Sequence, residues 1–196
     1  MRGAPVATLL GLLTGGLLTG CASDSTAITA EPLCSDGSGE AGNGVILMAQ
    51  SVPTAMSVPC ISAALPLGWN FHHLDARNGV SRFWLDSDRD GQQAVEVRLT
   101  ESCSTGGTTT VPSDREGMTR RERVDRMSPT YAGARYYLFD GGCLTFVFRL
   151  DGDSAGEALG VSSQVVGVVA RADLAAQVDK ESGGRLSLDP VPEENG

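Results

Sequence analysis

The dipeptide Asn78-Gly79, in the stretch GWNFHHLDARNGVSRFWLDSD, constrains the fold of this chain more than any other local feature. Asn-Gly is a preferred centre for a two-residue type I′ turn, and the residues on both sides have the composition of strands. A two-residue turn fixes which residues face each other across a hairpin. The predicted facing pairs are Arg77 with Val80, Asp75 with Arg82, Leu74 with Phe83, His73 with Trp84, and His72 with Leu85.

This register gives the hairpin two chemically different faces. The face expected to point into the core carries Leu74, Ala76, Phe83 and Leu85. The opposite face is a candidate contact surface, unless another layer of the domain covers it, and it carries Phe71, His73, Asp75, Arg82 and Trp84. Neighbouring strand residues point to opposite faces, so we expect that His72 and His73 do not act as a pair at one centre.

Two further stretches predict more antiparallel strands. AVEVRLT places Val95, Val97 and Leu99 inward and Glu96 and Arg98 outward, which extends the hairpin to a three-stranded meander. ARYYLFDGGCLTFVFRL predicts a second hairpin, with its turn at Asp140-Gly141 or Gly141-Gly142. Both turns leave the same side chains on one face, namely Tyr137, Phe139, Leu144, Phe146 and Phe148.

The remaining apolar stretches complete the fold prediction. GVILMAQ favours a strand, SVPCISAALP fits either a short helix or a loop, and SSQVVGVVA is apolar enough for a strand covered on both sides. Asp173 is the expected cap of a short C-terminal helix that turns Leu174 and Val178 to one side. The predicted fold class is α+β, a mainly antiparallel β-sheet of meander plus hairpin with a short C-terminal helix.

Composition and charge restrict the classes of partner. The chain has 196 residues, 41% of them hydrophobic and 20% charged, as in a globular protein of about one domain. Its net charge of −9 opposes binding to nucleic-acid phosphates, so no nucleic-acid partner is expected. In DREGMTRRERVDR the arginines alternate with acidic residues, which predicts a solvated face.

The first 21 residues resemble the signal peptide of bacterial lipoproteins. Arg2 is followed by an uncharged run from Ala4 to Gly20, which is at the lower length limit for a membrane-spanning helix. The run ends in Leu18, Thr19, Gly20 and Cys21, which resembles a lipobox. The resemblance implies cleavage before Cys21, acylation of its thiol, and a lipid anchor at the extracytoplasmic face of the cell membrane. An uncleaved signal anchor and a secreted protein with an unpaired thiol are the alternatives.

The cysteine count agrees with this interpretation. Five cysteines leave one unpaired in an exported chain, and acylation of Cys21 would account for it. The other four are an even set in an oxidising compartment. We predict the disulfides Cys34 to Cys60 and Cys103 to Cys143, although four cysteines allow three pairings and the sequence alone does not choose among them.

These features divide the chain into four parts. Residues 1–20 are the predicted signal peptide, and residues 21–44 are the acylated cysteine and a flexible tether rich in Ser, Gly and Asp. Residues 45–182 form a single globular domain. Residues 183–196 are a polar tail expected to fray.

The stretch DSDRDG resembles the opening of an EF-hand calcium loop, because Asp86, Asp88 and Asp90 alternate before Gly91. The match then fails, since the twelfth position is Val97 rather than Glu and the flanks are strands. A charged hairpin loop is the simpler interpretation. We expect no cofactor, with weak calcium binding as the open alternative.

The sequence therefore predicts a lipid-anchored envelope protein that binds a partner and catalyses nothing. The candidate partners are another envelope protein, a cell-wall polymer or a small ligand. The alternative is a cell-envelope hydrolase that uses His73, or a metal held by the Asp86 to Asp90 loop. Short signatures of common hydrolases and nucleotide-binding proteins are missing from the sequence, but a catalytic triad assembles in space and needs no such signature.

Overall fold

The structure is a computed structural model, and it describes residues 28–62 and 64–190. The predicted lipidation site at Cys21 and the end of the polar tail lie outside the described residues. The described helices are α1 (Asn43–Ser51), α2 (Ala155–Val165) and α3 (Arg171–Ser182). The described strands are β1 (Ser57–Ile61), β2 (Trp69–Arg77), β3 (Val80–Ser87), β4 (Gly91–Thr100), β5 (Thr109–Val111), β6 (Thr119–Arg126), β7 (Tyr131–Phe139), β8 (Gly142–Leu150) and β9 (Val166–Ala170).

Seven of the strands form one antiparallel sheet in the order β2-β3-β4-β8-β7-β6-β5. The predicted meander is confirmed as β2-β3-β4, and the second hairpin is confirmed as β7-β8. Phe139 pairs with Gly142, so Asp140-Gly141 is the turn of the second hairpin. Strands β1 and β9 form a separate antiparallel pair. The α+β fold class is therefore as predicted.

The core lies between one face of the large sheet and the three helices with the β1-β9 pair. The predicted inward side chains of the meander's third strand are all buried there. Those of the second hairpin are buried as well, except that Phe139 is only partly buried. Helix α1 contributes Val45, Met48 and Ala49, and α3 contributes Leu174. Full burial of a side chain as large as Met48 stabilises the fold by about 1.5–3 kcal/mol.

Two N-terminal predictions are wrong. GVILMAQ lies in α1 rather than in a strand, because Val45, Met48, Ala49 and Val52 recur at the spacing of one helix face and all are buried. SVPCISAALP contributes strand β1 rather than a helix or a loop, and its Pro59 pairs with Val168 of β9.

Three C-terminal predictions need correction. The run SSQVVGVVA divides between the end of α2 and β9, and Val168 in β9 is partly exposed, so the strand is not covered on both sides. The C-terminal helix is confirmed as α3, but the residue at its N-cap position is Ala170 and Asp173 lies in its first turn. Part of the predicted polar tail lies against the fold, since Leu188 is buried and Arg171 donates a hydrogen bond to the carbonyl of Asp189.

Both predicted disulfides are present. Cys34 and Cys60 have Cα atoms 4.9 Å apart, and Cys103 and Cys143 have Cα atoms 5.7 Å apart. Part of the segment that we predicted as a tether lies against the fold. Ile28 exchanges two backbone hydrogen bonds of 2.9 Å with Leu74, and Leu33 forms a bridge with Ile61. Within the described ranges, no helix combines the length and the apolar character needed to cross a membrane.

Candidate functional site

The seven-stranded sheet has a second face, here called the outer face, which points away from the helices and the main core. Alternate residues of each strand lie on it, and at its centre are His73, Asp75, Arg82, Trp84, Glu96, Arg98, Thr145, Val147, Ala134 and Tyr136. A small separate cluster of Ala134, Tyr136 and Cys143 is buried there. The outer face thus has its own packing and is not a bare polar surface.

The connection from β4 to β5 covers part of the outer face. It runs from the middle of the sheet to its far edge, and contacts with outer-face side chains fix its path. Cys103 is bonded to Cys143 and lies 3.2 Å from the hydroxyl of Thr145, and Thr108 accepts a hydrogen bond of 2.7 Å from Arg121. This segment covers the β8-β7-β6 part of the face and, among the residues that the structure describes, leaves the β2-β3-β4 part open.

We call the open part the outer patch, and we define it by its side chains. Its members are His73, Asp75, Arg77, Arg82, Trp84, Glu96, Arg98 and Arg149. Four of them belong to the predicted contact surface, and the structure brings these four together: His73 pairs with Trp84 and Asp75 pairs with Arg82, as the turn predicts. Glu96 and Arg98 were predicted to point outward, but their proximity to Arg149 requires the strand order and was not predicted.

Phe71, the fifth residue of the predicted contact surface, lies on the other side of the sheet. The pairing of β2 with β3 shifts between Phe71 and His73, so Phe71 rather than His72 faces Leu85. This β-bulge reverses the alternation beyond it. Phe71 packs against the main core, with its ring centroid 6.5 Å from that of Phe83. The prediction that Phe71 shares a face with His73 is therefore wrong.

The same bulge brings the two histidines together. Their ring centroids are 4.8 Å apart, although adjacent residues of a regular strand would point to opposite faces. The Nδ1 atom of His72 lies 2.8 Å from a carboxylate oxygen of Asp86. The prediction that the two rings occupy opposite faces is wrong, and the pair lies at the border of the outer patch.

Trp84 is the centre of the outer patch. Trp84 is only 8% exposed, the ring of His73 stacks on its indole at 4.2 Å, and the guanidinium of Arg82 lies 5.2 Å from the ring centroid. Burial lowers the pKa of His73, and the neighbouring charges of His72 and Arg82 lower it further. His73 is therefore held toward its neutral form, in which it stacks on the indole.

Each carboxylate of the outer patch lies between two arginines. Asp75 accepts hydrogen bonds of 3.0 Å from Arg77 and 3.1 Å from Arg82. Burial acts to raise the pKa of Asp75, but the hydrogen bonds and charges of Arg77 and Arg82 outweigh it and lower the pKa. Glu96, whose side chain is 4% exposed, accepts bonds of 2.8 and 2.5 Å from Arg98 and lies 3.8 Å from Arg149.

The predicted calcium ligands do not converge. Asp86 accepts a hydrogen bond from the backbone of Gln93 and contacts His72, whereas Asp90 is buried and accepts one from the hydroxyl of Ser87. The side chain of Asp88 is exposed at the loop, where its backbone N–H donates to the carbonyl of Gly68. Across the part of the chain that the structure describes, no three His, Cys, Asp or Glu side chains are grouped to hold a metal ion. Weak calcium binding stays an open alternative.

Sequence reasoning missed a second charged cluster, on the core side of β6 and β7. Alternation places Arg120 and Glu122 of β6 on that side, where Glu122 accepts hydrogen bonds of 2.6 Å from Arg120 and 2.7 Å from the buried Arg135. Tyr137 donates a bond of 2.8 Å to Asp114 in the same cluster. The prediction that DREGMTRRERVDR forms one solvated face is therefore wrong for Arg120 and Glu122.

Two open cavities among the described residues lie away from the outer patch. One of about 660 Å³ lies beside the start of β2, where Leu65, Trp69 and Phe71 line it with Glu31 and Ser62. Another of about 730 Å³ lies between α1 and the C-terminal segment.

A scan against protein-family models and searches of curated proteins and of solved structures find no match to this chain.

Proposed function

We propose that this protein is a lipid-anchored, non-catalytic binding module of the bacterial cell envelope, and that the outer patch is its contact surface. The single observation that supports the contact surface is the patch that the described segments leave uncovered, on a sheet whose other face is packed. Trp84, His73 and Arg82 are held there by stacking, and Asp75 and Glu96 fix the arginines around them. Trp and Arg are enriched at protein interfaces, and side chains already fixed in place lose little entropy on binding.

The anchoring part of the proposal rests on the lipobox-like sequence that ends at Cys21. It is supported by the pairing of Cys34, Cys60, Cys103 and Cys143, because two disulfides fit an oxidising compartment and leave Cys21 as the one remaining thiol. Two acyl chains give stable anchoring, since each buried methylene contributes about 0.8 kcal/mol.

Mass spectrometry of the intact native protein tests the anchor. The expected mass is that of a chain beginning at Cys21 with an acylated thiol and two disulfides. The matched control is Cys21→Ser, which has no thiol to acylate at this position. It should retain the leader and partition differently from the acylated native chain. An unacylated mature N-terminus, or a leader retained in the native chain, would contradict this part of the proposal.

Photo-crosslinking in living cells tests the contact surface. A crosslinking amino acid at position 149, whose arginine side chain is 58% exposed in the patch, should capture a defined neighbour. The matched control is position 186, where Leu186 is 66% exposed beside α3. Capture from position 186 alone, or from neither position, would overturn the assignment of the surface. Hydrolysis of an envelope substrate that is lost in His73→Gln would favour the alternative enzyme.

A further inference from the structure

The outer patch has the opposite charge to the protein that carries it. The whole chain has a net charge of −9, whereas Arg82, Arg98 and Arg149 of the patch outnumber its carboxylates Asp75 and Glu96 when His73 is neutral. A local excess of positive charge on an acidic protein attracts anionic groups to that surface. An anionic partner is therefore attracted to the outer patch despite the negative charge of the whole chain.

Two of the arginines are placed where repulsion is expected. Arg82 and Arg98 are direct cross-strand neighbours on β3 and β4. Like charges directly opposite each other in an antiparallel pair destabilise a sheet. The two guanidiniums turn to different carboxylates, Arg82 to Asp75 and Arg98 to Glu96. Glu96 also lies 3.8 Å from Arg149, so Arg82, Arg98 and Arg149 outnumber the two carboxylates that hold this pair.

We infer that the outer patch binds an acidic protein surface, with a carboxylate of the partner between Arg82 and Arg98. Guanidinium groups match carboxylates in geometry and form charge-assisted hydrogen bonds with them. The flat patch around Trp84 fits a protein surface, in which carboxylates are spaced among apolar groups. This inference rests on the proposed function, since it names the partner class of the same surface.

Binding to three anionic probes tests this inference. The full chain, purified from cells in a non-ionic detergent, is measured with poly-L-glutamate, with inorganic polyphosphate, and with mixed micelles containing phosphatidylglycerol. We expect binding to poly-L-glutamate that weakens as salt is added, and an affinity about tenfold lower in Arg82→Gln. The matched control is Arg89→Gln, because Arg89 is an exposed arginine that pairs with Glu157 outside the patch.

Arg98→Lys provides a second variant that keeps the charge and is expected to fold, since a cation still faces Glu96. It should retain binding within a few-fold, and unchanged thermal melts of both variants would show that the fold is intact. The inference is overturned if poly-L-glutamate does not bind, or if Arg82→Gln and Arg89→Gln weaken its binding equally. It is also overturned if only polyphosphate or the lipid micelles bind in a way that depends on Arg82.

The two proposals fail separately. If the neighbour captured from position 149 has no acidic residues at its crosslinked surface, the proposed contact surface stands and the inference of an acidic partner is wrong. If no neighbour is captured from position 149 but poly-L-glutamate binds in a way that depends on Arg82, the proposed cellular role is wrong. The inference that the patch binds carboxylates would then still stand.

Discussion

Single side chains determine the shape of the outer patch. Trp84 would be an exposed aromatic if its neighbours did not cover it, but His73 stacks on its ring and Arg82 lies near it. This side chain therefore has a structural role as well as a place at the centre of the proposed contact surface.

Trp84→Ala should lower the free energy of unfolding by about 3 kcal/mol, because it removes a large and mostly buried side chain. Trp84→Phe keeps an aromatic ring for His73 and should cost clearly less. Urea denaturation of the two variants measures the difference. Equal stability of Trp84→Ala and the parent chain would contradict the stacked arrangement.

His73 should make the stability depend on pH. Its pKa is lowered in the folded chain, above all by burial, whereas an unfolded histidine has a pKa of about 6.5. The unfolded chain therefore takes up a proton first as the pH falls, so the free energy of unfolding decreases below about pH 6.5 and levels off below the folded pKa.

Denaturant melts between pH 7.5 and pH 5.5 measure this dependence. His73→Gln should flatten it, and His72→Gln should leave the larger part, because burial of the His73 ring is the main cause of its pKa shift. An undiminished slope in His73→Gln would assign the pH dependence to other groups.

The sequence predicts this surface correctly only up to the bulge. The Asn-Gly turn determines the pairs from Arg77 to His73, and all of them are present. Beyond His73 the strand contains one extra residue, and nothing in the polar-apolar pattern of NFHHLD marks it. Phe71 was therefore placed on the wrong face, and the proximity of the two histidine rings was missed.

At the scale of elements, α1 shows why a short apolar run is ambiguous. GVILMAQ is seven residues long, and periodicity does not separate a strand from a helix over so few residues. Tertiary contact with the chain near Ala30 and Pro32 favours the helix. Gly44 in α1 lies against the backbone near Ala30 and Pro32, an approach that a side chain would prevent.

Gly44→Ala should lower the free energy of unfolding by about 1–3 kcal/mol, because its Cβ would lie 2.8 Å from the carbonyl oxygen of Ala30 and 2.9 Å from Pro32. Gly160→Ala is the matched control in α2, since a Cβ there meets no atom within 4 Å. It should raise the stability by up to about 1 kcal/mol. Thermal melts of the two variants test the contact, and a stabilising Gly44→Ala would refute it.

At the scale of the whole molecule, the strand order is what the sequence does not reveal. Local patterns predict β2 to β4 and the β7-β8 hairpin, but the insertion of β8 beside β4 depends on long-range pairing. That pairing brings Arg149 to Glu96 and sends the β4-β5 connection across the outer face. The extent of the open patch therefore depends on topology, and only His73, Asp75, Arg82 and Trp84 were predicted to form one contact surface.

Removal of either disulfide should lower the free energy of unfolding by roughly 3–4 kcal/mol from the loss of loop closure. The bridged cysteines are separated by 26 residues for Cys34–Cys60 and by 40 residues for Cys103–Cys143, so the two costs should be similar. The double variants Cys34→Ala/Cys60→Ala and Cys103→Ala/Cys143→Ala, compared by urea denaturation, measure them. A cost near zero for either pair would show that the bridge does not constrain the unfolded chain.

The bond between Cys34 and Cys60 also has a mechanical consequence. A force applied to the chain ahead of Ile28 would first separate Ile28 from Leu74 and then Leu33 from Ile61, one bridge at a time. The next residue, Cys34, is covalently joined to Cys60 in β1, so the separation stops there. A load from that end then enters the fold at β1, which pairs with β9 and not with the sheet that bears the outer patch.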